Sequence, residues 1–294
     1  MAVVVGTNNS EFVFGTNSNN ELYGLGGNDT LRGFAGNDFM SGGAGFDTVD
    51  YSGLGRAVII LPGGVISKNG LGTDRLDFSV ERIVGTAGQA NTIDGAVGRG
   101  FASFNIDLSA NRLTVNNLPG VGSVTFTVEN FVNARGTVNR DTITGNSRAN
   151  FIDGFSGDDV LTGSGGNDSL VGGAGIDILN GTSSAFRGNR EIDLLRGDAG
   201  ADGFVLGDRG GSYYRNGGVS DYAIISDFSS NDLIQLGAGD VYQAQRDGAG
   251  FDLFVVRNGV RDLVADVRTT SFIRLPSGTF RVASGQVAGN FLGA

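Results

Sequence analysis

Aspartate recurs in this sequence at a spacing that suits a metal ion. Reading from Gly24, a period of nine residues places Asp29, Asp38 and Asp47 at the sixth place of consecutive glycine-rich segments. If each segment forms a tight turn and a short strand, two segments complete one coil, and residues 18 apart, such as Asp29 and Asp47, stack. Stacked carboxylates repel one another unless a hard cation lies between them. The spacing therefore predicts a column of oxygen-lined cation sites.

Calcium suits such a column better than magnesium does. Ca²⁺ accepts six to eight oxygen ligands, including the carbonyls of glycine-rich turns, whereas Mg²⁺ demands octahedral geometry and gives up water reluctantly. The chain has no His and no Cys. This composition excludes His- or Cys-based zinc sites, haem ligation by His, iron–sulfur clusters, disulfides, and Ser-His-Asp or thiol catalysis. Oxygen is therefore the ligand atom that this sequence offers a metal.

The turns and strands that must hold the aspartates follow from the same period. The first block of repeats runs over 6–50, and a second block continues in phase over 136–180. Seven residues, 181–187, interrupt it before two further repeats at 188–205. Each repeat reads as a turn whose glycines permit positive φ, followed by a short strand whose central, eighth-place residue is apolar and points inward. We expect residues 181–187 to form a surface loop.

Composition narrows the class of protein. Glycine accounts for 52 of 294 residues, proline for 3 and apolar residues for 39%. Glycine does not recur at every third position, which excludes collagen. The net charge of −10 disfavours nucleic acids and anionic membrane surfaces and favours cations. No apolar run approaches the roughly 18 residues of a membrane span, and the first residues lack the features of a Sec signal. We expect no nucleic-acid partner, no membrane span and an export signal elsewhere.

The repeats resemble a known calcium-binding motif. Segments such as GLGGNDTLR (24–32), GFAGNDFMS (33–41) and GSGGNDSLV (163–171) are similar to the G-G-x-G-x-D-x-U-x repeat of the RTX, or haemolysin-type, family. The resemblance implies an all-β fold, a parallel β-roll or β-helix solenoid, that binds several Ca²⁺ ions. RTX proteins are secreted bacterial proteins that generally carry an uncleaved C-terminal signal for type I secretion. The resemblance therefore implies that this protein is extracellular or located at the cell surface.

The resemblance also implies ligands for each ion. In the family, each ion lies between two turns on the same side of the roll. One turn binds it through its Asp and the carbonyls of its second and fourth residues. The turn 18 residues later binds it through its Asp and the carbonyls of its first and third residues. Carried onto this sequence, the paired turns are Leu25, Gly27 and Asp29 with Gly42, Ala44 and Asp47; Thr137, Asn139 and Asp141 with Gly154, Ser156 and Asp159; Phe155, Gly157 and Asp159 with Gly172, Ala174 and Asp177; Ser164, Gly166 and Asp168 with Gly188, Arg190 and Asp193; and Gly173, Gly175 and Asp177 with Gly197, Ala199 and Asp202. The predicted ligands further include Gly33, Ala35 and Asp38, and Gly163 and Gly165.

Some turns depart from the pattern. Glu11 and Asn20 replace Asp at the sixth place, where an Asn-rich turn without an ion is the simpler interpretation. In the Asp193 turn, Arg190 occupies a loop position and Glu191 replaces the fourth-place glycine. We expect that site to be weak or empty.

We expect four segments along the chain. They are an N-terminal repeat block at 1–50, a wider β-helix-like segment at 51–135, the second repeat block at 136–205 and a C-terminal β cap at 206–294. Short β-type runs in the second segment favour one continuous solenoid, with a separate folded domain as the alternative. These runs are 57–61, 104–108, 112–115 and 124–128.

The C-terminal segment carries two further features. DYAIISDFSSNDLIQL (221–236) resembles the segment that closes RTX β-rolls, with Asp227 and Asp232 as further ligands or as capping residues alone. Asp247-Gly248 and Asn258-Gly259 are expected hairpin turns. The resemblance places the type I secretion signal within 240–294.

The sequence favours a non-enzymatic calcium-binding protein. The alternative is a calcium-dependent polysaccharide-acting enzyme, a lyase or epimerase, with candidate residues Asp74, Asp77, Asp94, Asp107, Arg75, Arg82 and Arg112. These charges are more simply explained as solvated rims, and the chain has no G-x-S-x-G motif. Ice binding, suggested by GTN at 6–8 and 15–17, would need a longer Thr array. Beyond calcium and the type I secretion machinery, the partners left open are surface or matrix components and further copies of the chain.

Overall fold

The structure is a computed structural model that describes residues 1–98, 100–185, 190–214, 220–248, 250–269 and 279–281, the last without the side chains of residues 280 and 281. It divides into two compact units, Met1–Thr137 and Val138–Ala294. One complete 3₁₀ turn lies within the described residues, at Ser52–Leu54. No helix there has the length and hydropathy needed to cross a bilayer.

The first unit is built from fifteen short strands. They are β1 (Ala2–Val5), β2 (Phe12–Phe14), β3 (Asn20–Gly26), β4 (Thr30–Arg32), β5 (Phe39–Ala44), β6 (Thr48–Asp50), β7 (Ile59–Leu61), β8 (Val65–Ser67), β9 (Thr73–Leu76), β10 (Arg82–Val84), β11 (Asn91–Asp94), β12 (Ser103–Asp107), β13 (Arg112–Leu118), β14 (Gly122–Glu129) and β15 (Phe131–Arg135). They form two sheets, in the orders β1-β3-β5-β9-β8-β7-β11-β15 and β2-β4-β6-β10-β14-β13-β12.

Successive coils of the first unit pair in parallel. Ala2 lies opposite Asn20 and Phe12 opposite Thr30, an offset of 18 residues in each case. Two consecutive nonapeptides therefore make one coil, with one strand in each sheet. This is the parallel β-roll that the repeats predict.

Residues 51–135 extend both sheets in a different way. The strands β7, β8 and β9 form one antiparallel meander, and β12, β13 and β14 form another. The meanders join the neighbouring coils by parallel pairing. For example, Phe39 of β5 lies opposite Arg75 of β9, 36 residues away. The division of the chain at 50 and 135 stays a prediction.

The second unit repeats the roll. Its strands are β16 (Thr142–Thr144), β17 (Phe151–Asp153), β18 (Val160–Ser164), β19 (Ser169–Ala174), β20 (Ile178–Thr182), β21 (Ile192–Ala199), β22 (Gly203–Val205), β23 (Gly207–Asp208), β24 (Gly211–Ser212), β25 (Tyr222–Phe228), β26 (Leu233–Gln235), β27 (Val241–Asp247), β28 (Gly250–Arg257), β29 (Val260–Thr269) and β30 (Thr279–Arg281). The orders are β16-β18-β20-β22-β26 and β17-β19-β21-β25-β29-β28-β27-β30, with β23-β24 as a separate pair.

The register of the second unit accommodates the insert. Thr142 lies opposite Val160, an offset of 18, whereas Ser169 lies opposite Leu194, an offset of 25. The difference equals the seven residues of 181–187, so the insert leaves the strand register on either side intact. The C-terminal strands β27, β28 and β29 are antiparallel, and their turns confirm the two expected hairpins. At the second turn, Asn258 and Gly259 both have positive φ.

The core follows the eighth place of the repeat. Every such side chain is at most 3% exposed. They are Val13, Leu22, Leu31, Met40 and Val49 in the first unit, and Ile143, Ile152, Leu161, Leu170, Leu179, Leu195 and Phe204 in the second. Because each strand is short, this single inward residue supplies most of the apolar contact between the two sheets of a coil. The inward position predicted from the period is confirmed.

The regular turns use glycine at the fourth place for a steric reason. Gly175 has φ of 144° and donates its N–H to Ala199 O at 2.9 Å. A Cβ at this position would collide with the carbonyl oxygen of Gly157 in the neighbouring coil. The turns therefore stack backbone against backbone, which leaves no room for a side chain.

Candidate metal centre

The sixth-place carboxylates form hydrogen-bonded columns. Seven of the nine sixth-place aspartates donate their backbone N–H to Oδ1 of an Asp in the next coil on the same side. In the first unit, Asp29 N–H donates to Asp47 Oδ1 at 2.8 Å. In the second unit, Asp141 donates to Asp159 at 2.7 Å and Asp159 to Asp177 at 2.8 Å. Asp177 donates to Asp202 at 2.9 Å, which extends this column across the insert. The backbone thus fixes one oxygen of each carboxylate.

The other oxygen of several carboxylates has no partner within the described part of the chain. The Oδ2 atoms of six aspartates are fully buried and accept no hydrogen bond; these are Asp29, Asp47, Asp74, Asp159, Asp168 and Asp177. A buried polar atom without a partner costs about 1–3 kcal/mol, and more when it is charged. The fold therefore presents a set of buried, unsatisfied carboxylate oxygens.

Four of these unsatisfied oxygens lie close to a carbonyl oxygen of the next coil. A Cβ added at Gly154 would collide with both Asp159 Oδ2 and Gly172 O. The same pairing occurs beside Gly24, Gly163 and Gly172, where the Oδ2 of Asp29, Asp168 or Asp177 lies with the carbonyl of Gly42, Gly181 or Gly197. Carboxylate and carbonyl oxygens thus share a space that only a first-place glycine leaves open. Such a set of donors fits a hard cation.

Backbone atoms must supply much of any coordination shell here. Among the residues that the structure describes, no three Asp or Glu side chains converge on a single point. A Ca²⁺ ion takes six to eight oxygens, so two carboxylates would have to be joined by turn carbonyls or water. The glycine-rich turns are suited to this role because their backbone is exposed to the cleft between coils.

Comparison with known proteins agrees with this geometry. The family model described as the RTX calcium-binding nonapeptide repeat (4 copies) matches residues 14–49, 135–170 and 162–185. The chain carries RTX calcium-binding repeats. These matched ranges contain the unsatisfied carboxylates of Asp29, Asp47, Asp159, Asp168 and Asp177. Ca²⁺ is therefore the metal that the RTX turns bind.

Among solved structures, one similar chain is the extracellular lipase LipA from Serratia marcescens. It shares 18% sequence identity with this RTX chain, with a TM-score of 0.25. The match covers 90% of this chain and 37% of the lipase chain, so this chain spans little more than a third of the lipase's length. No curated protein matches the sequence significantly.

The carboxyl groups in the RTX turns of the second unit have raised pKa values. Burial raises the pKa of Asp159 and of Asp168 to about 8. Nearby carboxylates add to the effect of burial, Asp141 and Asp177 at the first site and Asp193 and Glu191 at the second. Burial likewise raises the pKa of Asp177 to about 6 and those of Asp193 and Asp202 to about 7. These groups resist ionisation unless a cation compensates their charge.

Most of the predicted ligands lie in paired turns. Four of them, Asp193, Gly188, Thr137 and Asp38, depart from the prediction or cannot be compared with it. The side chain of Asp193 is engaged by Tyr214, whose hydroxyl donates to Asp193 Oδ2 at 2.6 Å. Gly188 lies outside the described residues, and Thr137 belongs to the first unit whereas Asn139 and Asp141 belong to the second. Occupancy of each individual site stays a prediction. The Oδ2 of Asp38 is also engaged, because the ammonium group of Lys68 lies 2.9 Å from it.

Glu191 gives the irregular turn a side-chain oxygen. In regular turns, the fourth-place N–H donates to the third-place carbonyl of the next coil, as Gly157 does to Ala174 O at 2.8 Å. Gly166 N–H donates instead to Glu191 Oε2 at 2.9 Å. The other carboxylate oxygen of Glu191 is buried and accepts no hydrogen bond. Glu191 thus replaces a backbone carbonyl by a carboxylate beside Asp168, a feature that the expectation of a weak site did not include.

Sequence reasoning missed the continuation of the first-unit columns. Asp47 N–H donates to Glu81 Oε2 at 2.7 Å, and Asp38 N–H donates to Asp74 Oδ1 at 3.0 Å. The offset of 34 residues conceals Glu81 from a search with a period of nine. The offset of 36 is four periods, and NGLGTDRLD (69–77) keeps the fourth-, sixth- and eighth-place pattern, so this signal for Asp74 was present in the sequence. In the second unit, Asp202 N–H donates to Asp232 Oδ1 at 2.9 Å. Asp232 therefore extends its column, in agreement with one of its two predicted roles.

The residues considered for catalysis have local structural partners. Asp94 accepts the Ala96 N–H at 3.0 Å and Asp77 accepts the Ser79 N–H at 3.0 Å. Asp107 accepts the Ala110 N–H at 2.9 Å. Arg82 pairs with Glu129 at 2.7 Å. These contacts hold turns and strands in place and give no support to the polysaccharide-acting enzyme.

Proposed function

We propose that this chain is a non-enzymatic structural protein that is exported and folds when its RTX turns bind calcium outside the cell. The observation that carries the proposal is the set of buried carboxylate oxygens without hydrogen-bond partners, four of which lie beside a carbonyl of the next coil. An enzyme would need reactive groups held in a cleft. The unsatisfied groups here are instead distributed along the axis of the roll, between successive coils.

The electrostatics of the columns favour a folding switch. Without a cation, each coil added to the roll buries another carboxylate beside those already there, and this repulsion opposes folding. Binding free energy of Ca²⁺ then contributes directly to folding free energy. The chain should remain loosely folded where calcium is scarce and become rigid where it is plentiful. Extracellular calcium modules commonly have dissociation constants of about 10⁻⁴–10⁻³ M.

Calcium should convert the metal-stripped chain from coil to β structure. We expect far-UV circular dichroism at pH 8 in EGTA to lack most of the β signal, and added Ca²⁺ to restore it cooperatively. Excess EGTA should reverse the change, and Mg²⁺ at equal concentration should leave the spectrum largely unchanged. A full β spectrum in EGTA would contradict the proposed switch, because the turns would then hold without ions.

Export should depend on the C-terminal part of the chain. Proteins with RTX repeats are typically secreted, which supports export of this chain, and we assign the type I signal to 240–294. Residues 270–278 and 282–294 of that segment lie outside the described structure. In cells with a type I exporter, the intact chain should accumulate in the medium and a chain ending at residue 239 should stay inside. Equal export of both chains would rule out this signal, while leaving calcium binding unaffected.

A further inference from the structure

Lys68 is the only lysine in the sequence, and its side chain is completely buried. Its Nζ lies 2.9 Å from Asp38 Oδ2 and 2.5 Å from Asp74 Oδ1. It also donates a hydrogen bond to the carbonyl oxygen of Phe34 at 2.7 Å. Three oxygens thus use the three donors of the ammonium group. No other basic side chain of the described residues is buried to this extent.

The three oxygens belong to positions of the RTX turn that are predicted to bind calcium in the regular turns. Phe34 and Asp38 are the second and sixth residues of the repeat 33–41. Asp74 takes the sixth place of the next coil, because Asp38 N–H donates to Asp74 Oδ1 at 3.0 Å, the bond that links successive aspartates in the columns. The ammonium group therefore lies between a carbonyl and two carboxylates of successive coils. In the turns of Asp29, Asp47, Asp159, Asp168 and Asp177, the buried Oδ2 has no partner among the described residues; here only Asp74 Oδ2 is left without one.

An antiparallel hairpin delivers the lysine to this position. Lys68 directly follows β8, and the loop to β9 is closed by hydrogen bonds from Lys68 N–H to Gly72 O at 3.0 Å and from Leu71 N–H to Lys68 O at 3.2 Å. This hairpin is the insertion that lengthens the coil-to-coil offset from 18 to 36 residues. The segment that interrupts the nonapeptide period thus supplies a cation to the turn beside it.

We propose that Lys68 is the resident cation of the turn pair formed by 33–38 and 69–74, and that it replaces a calcium ion there. An ammonium group is a compact point charge, which oxygens can surround on several sides, whereas the flat guanidinium of arginine presents a wide fork. The chain otherwise uses arginine for all its basic side chains. The inference rests on the proposed function in that it takes calcium to be the cation of the regular turns. It predicts that this turn pair, together with the β8–β9 hairpin, belongs to the small part of the β structure that persists in EGTA when most of the roll is unfolded.

Amine labelling reads this contact directly, since Lys68 has the only side-chain amine. The intact chain would be treated with an acetylating N-hydroxysuccinimide ester in Ca²⁺, in EGTA and in concentrated guanidinium chloride, and the peptides analysed by mass spectrometry. In both Ca²⁺ and EGTA, we expect Lys68 to react at least tenfold more slowly than the same side chain does in guanidinium chloride, with the α-amino group of Met1 as an internal standard for the reagent. Rapid labelling of Lys68 in EGTA would overturn the proposal, because closure would then require calcium.

Counting bound calcium provides an independent test. Replacing Lys68 by alanine frees two carboxylates and a carbonyl, so Lys68→Ala should bind one more Ca²⁺ than the wild type in native mass spectrometry. The matched control is Arg75→Ala, which removes an exposed cation from the adjacent strand and should leave the count unchanged. An equal count for Lys68→Ala and wild type would argue against the replacement.

The two tests separate this inference from the proposed function. If Lys68→Ala fails to fold even in calcium, the labelling of the wild-type chain still decides. If the wild type binds no calcium at all, the proposed function fails, yet protection of Lys68 in EGTA would still show a closed turn pair.

Discussion

In EGTA, the second unit should fold as the pH is lowered from 8 towards 4. Protonation removes the same charge that calcium compensates. The groups responsible are Asp159 and Asp168, with pKa raised to about 8, Asp193 and Asp202, raised to about 7, and Asp177, raised to about 6. We therefore expect acid to substitute in part for calcium.

The sign follows from linkage. A carboxyl group whose pKa is higher in the folded state than in the unfolded chain binds more protons when folded. Its contribution to stability is fully present below the unfolded value of 3.8 and is lost as the pH rises through the folded value, here about 6 to 8. One pKa unit corresponds to about 1.4 kcal/mol. The five shifts all have the same sign, so their contributions to the pH dependence act in the same direction.

The measurement is a pH series of far-UV circular dichroism in EGTA, with a parallel series in saturating calcium. The β signal in EGTA should rise between pH 8 and 4, whereas the series in calcium should start high at pH 8. Because the sequence pI is about 4.5, the spectra must be independent of protein concentration near that pH. Loss of β structure on acidification in EGTA would contradict the expected sign.

The repeats could be predicted from the sequence because they are periodic. Two nonapeptides per coil fix an offset of 18 residues, and that offset places Val160 beside Thr142 and Asp159 beside Asp141. The inward eighth place follows from strand geometry alone. Even the insert 181–187 left the prediction intact, since the period resumed in the same order after it. Periodic contacts need no knowledge of distant parts of the chain.

The irregular contacts could not be predicted in this way. Lys68 meets Asp38 across 30 residues, and Tyr214 meets Asp193 across 21. Both distances depend on the lengths of hairpins and loops rather than on a period. Glu81 likewise joins the Asp47 column only because the strands of 51–135 return to the same sheet at a new offset. One clue was present in the sequence: a lone lysine in a chain that otherwise uses arginine.

Replacing Asp159 by asparagine should raise the calcium midpoint for folding at least tenfold, equivalent to about 1.4 kcal/mol. Asp159 lies in two turn pairs, since it accepts the Asp141 N–H and donates its own N–H to Asp177. Asparagine keeps the oxygen that accepts the backbone hydrogen bond but removes the charge. The variant should therefore weaken two predicted sites at once while preserving the column.

The matched control is the neighbouring Asp158→Asn. Asp158 is exposed, and its Oδ1 accepts the Ile176 N–H at 2.9 Å, a bond that asparagine can also accept. It lies at the fifth place of the same repeat, so the two variants lose the same charge within one turn. Asp158→Asn should shift the calcium midpoint by no more than about threefold, as expected for an exposed charge.

Asparagine at the sixth place already exists in this protein. Asn150 is buried, its Oδ1 accepts the Asn146 N–H at 2.8 Å, and its N–H donates to Asp168 Oδ1 at 2.8 Å. The fold therefore tolerates the substitution. In EGTA, Asp159→Asn should be more stable than the wild type, because it removes a buried charge, while in calcium it should be less responsive. These opposite effects distinguish the loss of a ligand from general destabilisation, which would lower stability in both conditions. A variant weakened equally in EGTA and in calcium would argue that Asp159 is a structural residue only.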